Sequence, residues 1–307
     1  MAEKTFLIVS NSNDAHVHSV VRRLNERSIR AHQLNSDMFV SIPRKWSISQ
    51  NESKISSTLF VPEVDAVWYR KVLFPEATTA VQSFIRQELE GLFDSILAQY
   101  ENCRWVNSRT CISAARPKIS QLQRAKELGF RIPDTLITND VEELRRFASS
   151  HQGRIVAKPI RAQVVESEGE FSVIGTRSLT PEHYESATNS CPGYFQERLP
   201  LKSEIRVIVF GKRIYPFRLT PQKEADDIKQ LALEDIKHER CRLDESISDK
   251  IEALLSSYAL EFGAIDLADI DDGEPMFFEL NPNGQWLWLQ HVTGENLIDP
   301  FIDLLCS

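Results

Sequence analysis

Glycine is scarce in this chain: there are 11 in 307 residues, and no two lie within three positions of one another. Dinucleotide fingerprints and Walker A loops need clustered glycines to bring backbone amides against phosphates, so both are excluded. A nucleotide bound here must be held by other means. The five cysteines (Cys103, Cys111, Cys191, Cys241 and Cys306) are odd in number and include no C-x-x-C pair, which argues against a disulfide framework or a structural zinc site. No run of lysine and arginine forms a basic stripe, and 36 basic against 44 acidic residues leave a net charge of −8. That balance argues against nonspecific nucleic-acid binding. No apolar run has the length of a membrane span, and the one in the opening MAEKTFLIVS is too short for a signal peptide. The expectation is a soluble, cytoplasmic protein with neither a membrane nor a nucleic-acid partner.

What is present is ordinary globular composition, 42% hydrophobic and 26% charged, on a chain long enough for two or three small domains. Residues 6–9 read as a strand, Ser12, Asn13 and Asp14 as caps for a helix reaching about residue 28, and residues 29–34 as a second strand. This is a βαβ-like start. Residues 41–60 are polar and serine-rich, irregular with hairpin strands, and residues 64–69 form a strand followed by Arg70 and Lys71. A helix is expected over residues 76–100, with Val81, Phe84, Ile85, Leu92, Phe93, Ile96 and Leu97 recurring on one side. Trp105 and Val106 suggest a last short strand, and a boundary falls near Thr110. Pro117 opens a helix that Gly129 closes.

The middle of the chain alternates: a strand at 135–137, a helix at 141–150, a strand at 154–158, a polar loop at 161–170, a strand at 171–176 and a helix from Pro181. Strands follow at 194–197, 205–210, 213–218, 264–267 and 276–280, with Gly211 turning a hairpin. Residues 225–240 read as a charged helix and residues 249–262 as an amphipathic one. The class is mixed α/β.

Three oxygen-bearing side chains stand out near the carboxyl end. Glu279 and Asn281, two apart in FFELNPNG, share a face of an extended strand, and a hairpin through Gly273 brings Asp266 of AIDLAD close to them. Two acids and an amide oxygen embedded in apolar strands suit Mg²⁺ bound together with phosphate oxygens. Lys158, ending the strand RIVAKP, and Lys118, in the first turn of its helix, are candidates for phosphates. In FQERLPLKSEIRVIVFG, Glu197 or Glu204 could accept from adenine N–H groups or ribose hydroxyls. Arg206, sharing a face with Glu204, could fork onto a phosphate or a carboxylate.

Taken in order, Lys118 in PKISQL, Lys158 in VAKP, the hinge FQERL, Glu204 with Arg206, Asp266, and Glu279 with Asn281 resemble the ATP-grasp superfamily over residues 110–300. VWYRK at 67–71, WVNS at 105–108, IPDTLITN at 132–139 and ELNPNGQWLWLQ at 279–290 resemble the narrower family of microviridin-type (graspetide) peptide maturases. The resemblance implies a pre-ATP-grasp domain at residues 1–110, a central ATP-grasp subdomain with a phosphate-covering loop at 111–190, and a C-terminal antiparallel-sheet subdomain with the metal site at 191–307. ATP would lie between two antiparallel sheets, under the loop at 161–170. Lys118 and Lys158 would contact its phosphates, Glu197 and the backbone of Leu199 the adenine, and Glu204 the ribose. Asp266, Glu279 and Asn281 would hold Mg²⁺, with Arg206 near the acyl group.

The substrate implied is a precursor peptide, leader plus core, whose Asp or Glu side chains are activated as acyl phosphates and closed onto Ser, Thr or Lys as esters or amides. The likeness also allows a homodimer. The chain departs from relatives after the hairpin, where ADDIKQLALEDIKHER has Asp226 and Asp227 without the Trp-Arg that commonly follows. That bears on which leader docks there. Trp286 and Trp288 either line the substrate side or pack in the core. Two alternatives stand beside this reading. One is a ligase adding free amino acids to a peptide or protein. The other is an ATP sensor without ligation, which would lack the triad or the lysines.

Overall fold

The run Phe6-Leu7-Ile8-Val9 is apolar on every residue, as a strand covered on both faces must be, and these four side chains are at most 1% exposed. It forms the strand Thr5–Ser10 at the centre of a parallel sheet ordered Arg30–Asn35, Thr5–Ser10, Ala66–Tyr69, Arg104–Val106. The structure, a computed structural model, describes residues 4–39, 47–48, 53–54, 63–161, 164–167, 170–173, 175–189, 191–223, 228–270 and 273–307. Backbone packing groups the chain into two units. The first comprises Met1–Ile112, Leu260–Phe262 and Gln285–Ser307, and the second Ser113–Ala259 and Gly263–Gly284.

In the first unit the helix Ala15–Glu26 is capped by Asp14, whose carboxylate accepts from the His16 N–H at 3.0 Å. The helix Ala80–Ala98 begins with a capping box between Thr79 and Gln82. It does not bury one continuous face as its periodicity predicts. Phe93, Ile96 and Leu97 enter the core, whereas Val81, Phe84 and Ile85 remain 68%, 63% and 46% exposed and Leu92 is 36% exposed. Its buried residues all lie in the last two turns, where they pack with Leu7, Val9 and Val67 of the sheet. The carboxyl-terminal helix Ile298–Cys306 supplies Phe301, which packs against Trp68, Phe262 and Trp286. Trp286 is completely buried, so it belongs to this core rather than to a substrate surface.

His16 makes a buried connection in this unit: its Nε2 accepts from the backbone N–H groups of Trp286 and Leu287, both at 3.0 Å. Burial, reinforced by the nearby Arg70 charge against the pull of Asp14, holds its pKa down at about 4. Neutral His16 is therefore the form that folds. The stability it contributes is complete above the unfolded pKa of about 6.5 and is lost as pH falls toward 4. His16→Ala should cost about 2–4 kcal/mol in urea unfolding at pH 7.5, because two buried amides lose their acceptor. The variant should also lose much of the wild type's pH dependence between 6.5 and 4.

The second unit holds two antiparallel sheets. One is ordered Arg177–Ser178, Ile155–Lys158, Gly193–Glu197, Thr135–Thr138. The helices Val141–Ser150 and Tyr184–Thr188 cover one of its faces through Leu144, Ala148, Ile155, Tyr184 and Phe195. The other sheet is ordered Ile236–Arg240, Arg213–Pro221, Ser203–Phe210, Phe262–Asp269, Met276–Asn281. Gly211 takes φ +61° in the tight turn before Arg213, a left-handed conformation that costs glycine little.

Two sequence expectations fail here. The α-helix expected over residues 225–240 is not formed by residues 228–240: after 3₁₀ turns at Ile228–Gln230 and Leu233–Asp235, the strand Ile236–Arg240 pairs antiparallel with Arg213–Pro221. The free edge of the hairpin supplies a ladder that outweighs helix propensity. Asp226 and Asp227 lie outside the described residues. The polar loop is also partly strand, since Val164–Ser167 pairs antiparallel with Glu170–Val173. Residues 162–163 and 168–169 lie outside the described residues. No helix among the described residues is long and apolar enough to cross a membrane.

Candidate functional site

The register of the last two strands sets the geometry of the acidic pair. Asp266 lies directly opposite Glu279, and Ala264 opposite Asn281, so alternation places all three oxygen-bearing side chains on one face. The register then skips to Leu267 opposite Phe277, which makes Phe278 the extra residue of a β-bulge. Bulges re-aim side chains. Here the Phe278 ring lies 4.3 Å from the Lys158 Nζ, while Glu279 Oε2 lies 3.6 Å from the Lys118 Nζ. Strict alternation would have sent Phe278 and Glu279 to opposite faces, so Phe278 was missed from sequence.

Each candidate cation is held by more than its own element. Lys118 opens the helix Lys118–Glu127 and donates to the Pro159 carbonyl at 3.0 Å. One turn later Gln121, 2% exposed, donates to the Leu280 carbonyl at 2.7 Å and accepts from the Leu280 N–H at 2.9 Å. Met276–Asn281 is an edge strand, and Gln121 satisfies its outward backbone groups, as a buried edge requires. This fixes Lys118 against Glu279. Lys158 Nζ donates to Gln196 Oε1 at 2.6 Å, and Gln196 Nε2 donates in turn to the Thr135 and Tyr194 hydroxyls at 3.0 and 3.3 Å. Burial, with the Glu279 charge adding to it, pushes the Tyr194 phenol up to about 12, so it is a neutral hydrogen-bonding group at any physiological pH.

On the same sheet as Asp266, Arg206 Nη1 donates to Asp266 Oδ1 at 2.7 Å, with the two residues 8% and 2% exposed. Glu204, two residues before Arg206 and 7% exposed, shares that face. Gly284 closes in behind: a Cβ there would lie 2.9 Å from Arg206 Nη2 and 2.3 Å from the Ala264 Cβ. Asn281 Oδ1 accepts from the Asn283 N–H at 3.1 Å and retains a second lone pair.

The structure thus brings Lys118, Lys158 and Glu279 together around the bulge, and Glu204, Arg206 and Asp266 together on the strands alongside. It does not bring Glu197 to them. Phe195 packs under the helices, so Tyr194 and Gln196 face Lys158 while Glu197 points the other way. Its carboxylate accepts from the Asp134 N–H at 2.9 Å and approaches His151 Nδ1 at 3.8 Å. Leu199 follows in the connecting segment, its carbonyl accepting from the Leu201 N–H at 2.9 Å. Gln196 is the residue of this strand that faces the lysines. The parity that separates it from Glu197 is legible in FQERL, but which face is covered is not.

Three cations (Lys118, Lys158, Arg206) and three anions (Glu204, Asp266, Glu279) balance in this constellation. Two carboxylates directly opposite each other across a strand pair are unfavourable unless a cation lies between or beside them. Arg206 and Lys118 now serve that purpose, and a divalent ion would serve it better. Among the described residues no group of three or more His, Cys, Asp and Glu could hold a metal, so a metal held here would take two acids and an amide oxygen, with positions left for phosphate oxygens and water. That donor set suits Mg²⁺.

No protein-family profile and no curated sequence matches the chain. Solved structures do. The macrocyclase MdnC of Microcystis aeruginosa, solved with precursor peptide MdnA, is 23% identical at a TM-score of 0.85, over 98% of this chain and 99% of that one. The macrocyclase MdnB of the same organism is 23% identical at 0.77, over 98% and 99%. A RiPP-associated ATP-grasp ligase of Chryseobacterium gregarium, solved with ADP and leader and core peptides, is 26% identical at 0.82, over 99% and 96%. The chain has the ATP-grasp fold, in the form shared by these macrocyclases and this RiPP-associated ligase.

Proposed function

We propose that the protein is an ADP-forming ligase that activates side-chain carboxylates of a ribosomally made precursor peptide and closes them onto hydroxyl or amine side chains of the same peptide. The observation that carries this reading is Asp266 directly opposite Glu279, with Lys118 and Arg206 on their outer sides, in a chain with the fold of peptide-bound ATP-grasp ligases. ATP supplies the phosphoryl group that turns a carboxylate into a reactive acyl phosphate.

The chain's own residues then have separate tasks. Lys118 and Lys158 offset phosphate charge, and Gln196 and Phe278 hold Lys158 in place. Asp266, Glu279 and Asn281 present oxygens to Mg²⁺, and Glu204 serves a ribose hydroxyl. Arg206, anchored by Asp266, offsets the charge of the incoming carboxylate, which otherwise repels the phosphates. For the nucleotide base we assign Glu197, whose carboxylate also accepts from the Asp134 N–H, with the Leu199 backbone. The reading places the protein in the cytoplasm, where ATP and Mg²⁺ are available.

The test is incubation with ATP, Mg²⁺ and peptides encoded beside the gene. Ring closure appears as ADP release with loss of the mass of water from the peptide. A mass gain from a free amino acid would instead favour an amino-acid-adding ligase, and no ADP release with any such peptide would overturn the reading.

We also propose that two copies pair through the exposed half of Ala80–Ala98. In an antiparallel pairing about an axis at Glu88, Phe84 meets Leu92, and Ile85 meets Gly91, where a Cβ would touch nothing within 4 Å. The Ile85 side chain then faces a notch. Phe84→Glu should convert a dimer into a monomer in light scattering without lowering Tm. A wild type that is monomeric at micromolar concentration would refute the pairing.

A further inference from the structure

The motif IPDTLITN at residues 132–139 gives the reaction above none of its side chains. Thr135 opens its strand, Thr135–Thr138, and lies directly opposite Gln196 of Gly193–Glu197, while Lys158 lies opposite Tyr194. Residues opposite each other, or two apart on a strand, share a face of a sheet. Thr135, Tyr194, Gln196 and Lys158 therefore share one face, and Leu136, Ala157 and Phe195 pack under the helices on the other.

Hydrogen bonds on this face run in one direction. A lysine ammonium only donates, so the Gln196 atom 2.6 Å from Lys158 Nζ is the amide oxygen. The amide NH₂ is thereby turned to Thr135 Oγ1 at 3.0 Å and to the Tyr194 hydroxyl at 3.3 Å. Thr135 Oγ1 accepts because its own proton goes to the Pro133 carbonyl at 2.9 Å, a group that can do nothing but accept.

Gln196 and Tyr194 are both buried, so water does not repair a wrongly turned amide. Reversed, the amide would set its NH₂ against the Lys158 ammonium, donor to donor. Its oxygen would then face Thr135, whose proton is already given to Pro133. Tyr194 also hydrogen-bonds to Thr135, and burial with the Glu279 charge keeps its phenol protonated. A protonated phenol can serve an amide presented either way, whereas Thr135 with its proton committed serves only one. Thr135 is the group that sets the sense of the amide.

We propose that Thr135 is a positioning residue: its hydroxyl accepts from the Gln196 amide and so keeps the amide oxygen, and with it the Lys158 ammonium, in place for a nucleotide phosphate. That Lys158 serves a phosphate rests on the function proposed above, whereas the direction of the hydrogen bonds does not. Valine at this position keeps the β-branched shape of a strand residue and loses the acceptor. Serine keeps the acceptor and loses only a methyl group.

Two measurements on the full chain test this. In protein labelled with ¹⁵N in its glutamine side chains, the Gln196 amide signal is identified by its loss in Gln196→Leu. Thr135→Val should speed solvent exchange of that amide about tenfold or more, and Thr135→Ser should leave it near wild type. In calorimetric titration with Mg·ADP, Thr135→Val should weaken binding about fivefold or more, the cost of a lysine no longer held in place, and Thr135→Ser should restore it. In the Gln196→Leu background Thr135→Val should change the affinity no further, because the hydroxyl acts through the amide. Unchanged exchange in Thr135→Val, unchanged affinity, an equal loss in Thr135→Ser, or the same loss added to Gln196→Leu would each overturn the proposal. Faster amide exchange in a protein whose wild type binds no Mg·ADP would leave Thr135 assigned to Gln196 and remove the proposed function instead.

Discussion

Glu279→Gln should lower ADP release about 1,000-fold or more while leaving the fold intact. The change is isosteric and removes one of the two charged oxygen donors of the proposed metal site, which in the proposed reaction would offset triphosphate and carboxylate charge together. The folded protein should tolerate it. Glu279 is about one-fifth exposed, its ion pair with Lys118 spans 3.6 Å, and losing the charge opposite Asp266 relieves repulsion. Asp266→Asn should be equally inactive but should also lose about 3–5 kcal/mol, because it removes the negative charge against which the buried Arg206 guanidinium is held. Coupled ADP assays across a Mg²⁺ series, with urea unfolding of both variants, separate the two effects. Turnover of Glu279→Gln within tenfold of wild type would remove the metal assignment.

Gly284→Ala should have the second largest effect, through a single methyl group. Its Cβ would lie 2.3 Å from that of Ala264, which is fully buried on the strand Phe262–Asp269, and 2.9 Å from Arg206 Nη2. The strand methyl cannot give way, so either the 281–284 turn or Arg206 must move. Overpacking of this kind costs about 1–3 kcal/mol. Displacing Arg206 from Asp266 should lower turnover about 100-fold or more, as loss of one preorganised charge does elsewhere. The companion change Ala264→Gly removes the methyl that is struck. The double variant should recover stability and activity relative to Gly284→Ala alone, a coupling that a double-mutant cycle measures directly. If the double variant is merely the sum of its parts, the steric account fails.

Much of the candidate site's geometry could be read before the fold. The two-residue spacing of Glu279 and Asn281, and of Glu204 and Arg206, needs only the period of a strand. The start of the helix at Pro117 and the hairpin turn at Gly211 need only backbone stereochemistry. What could not be read depends on a partner. Gln121 looks like any helical glutamine until the edge strand beside it leaves the Leu280 amide and carbonyl to be satisfied. Residues 236–240 carry charges at a spacing that suits a helix, and they become a strand because the Arg213–Pro221 edge is available.

Sequence by itself determined the parity of side chains along each strand, the chain order of the cationic and acidic residues, and the turn positions that glycine and proline permit, because these are set within a few bonds of backbone. Tertiary structure alone decided the absolute face and the register. Helices packed over Phe195 turned Glu197 away from the lysines and left Gln196 facing them, and the bulge at Phe278 put an aromatic ring and a carboxylate on the same side. Parity is a local property, whereas which face is covered and where a ladder slips by one residue are settled only when the second surface arrives.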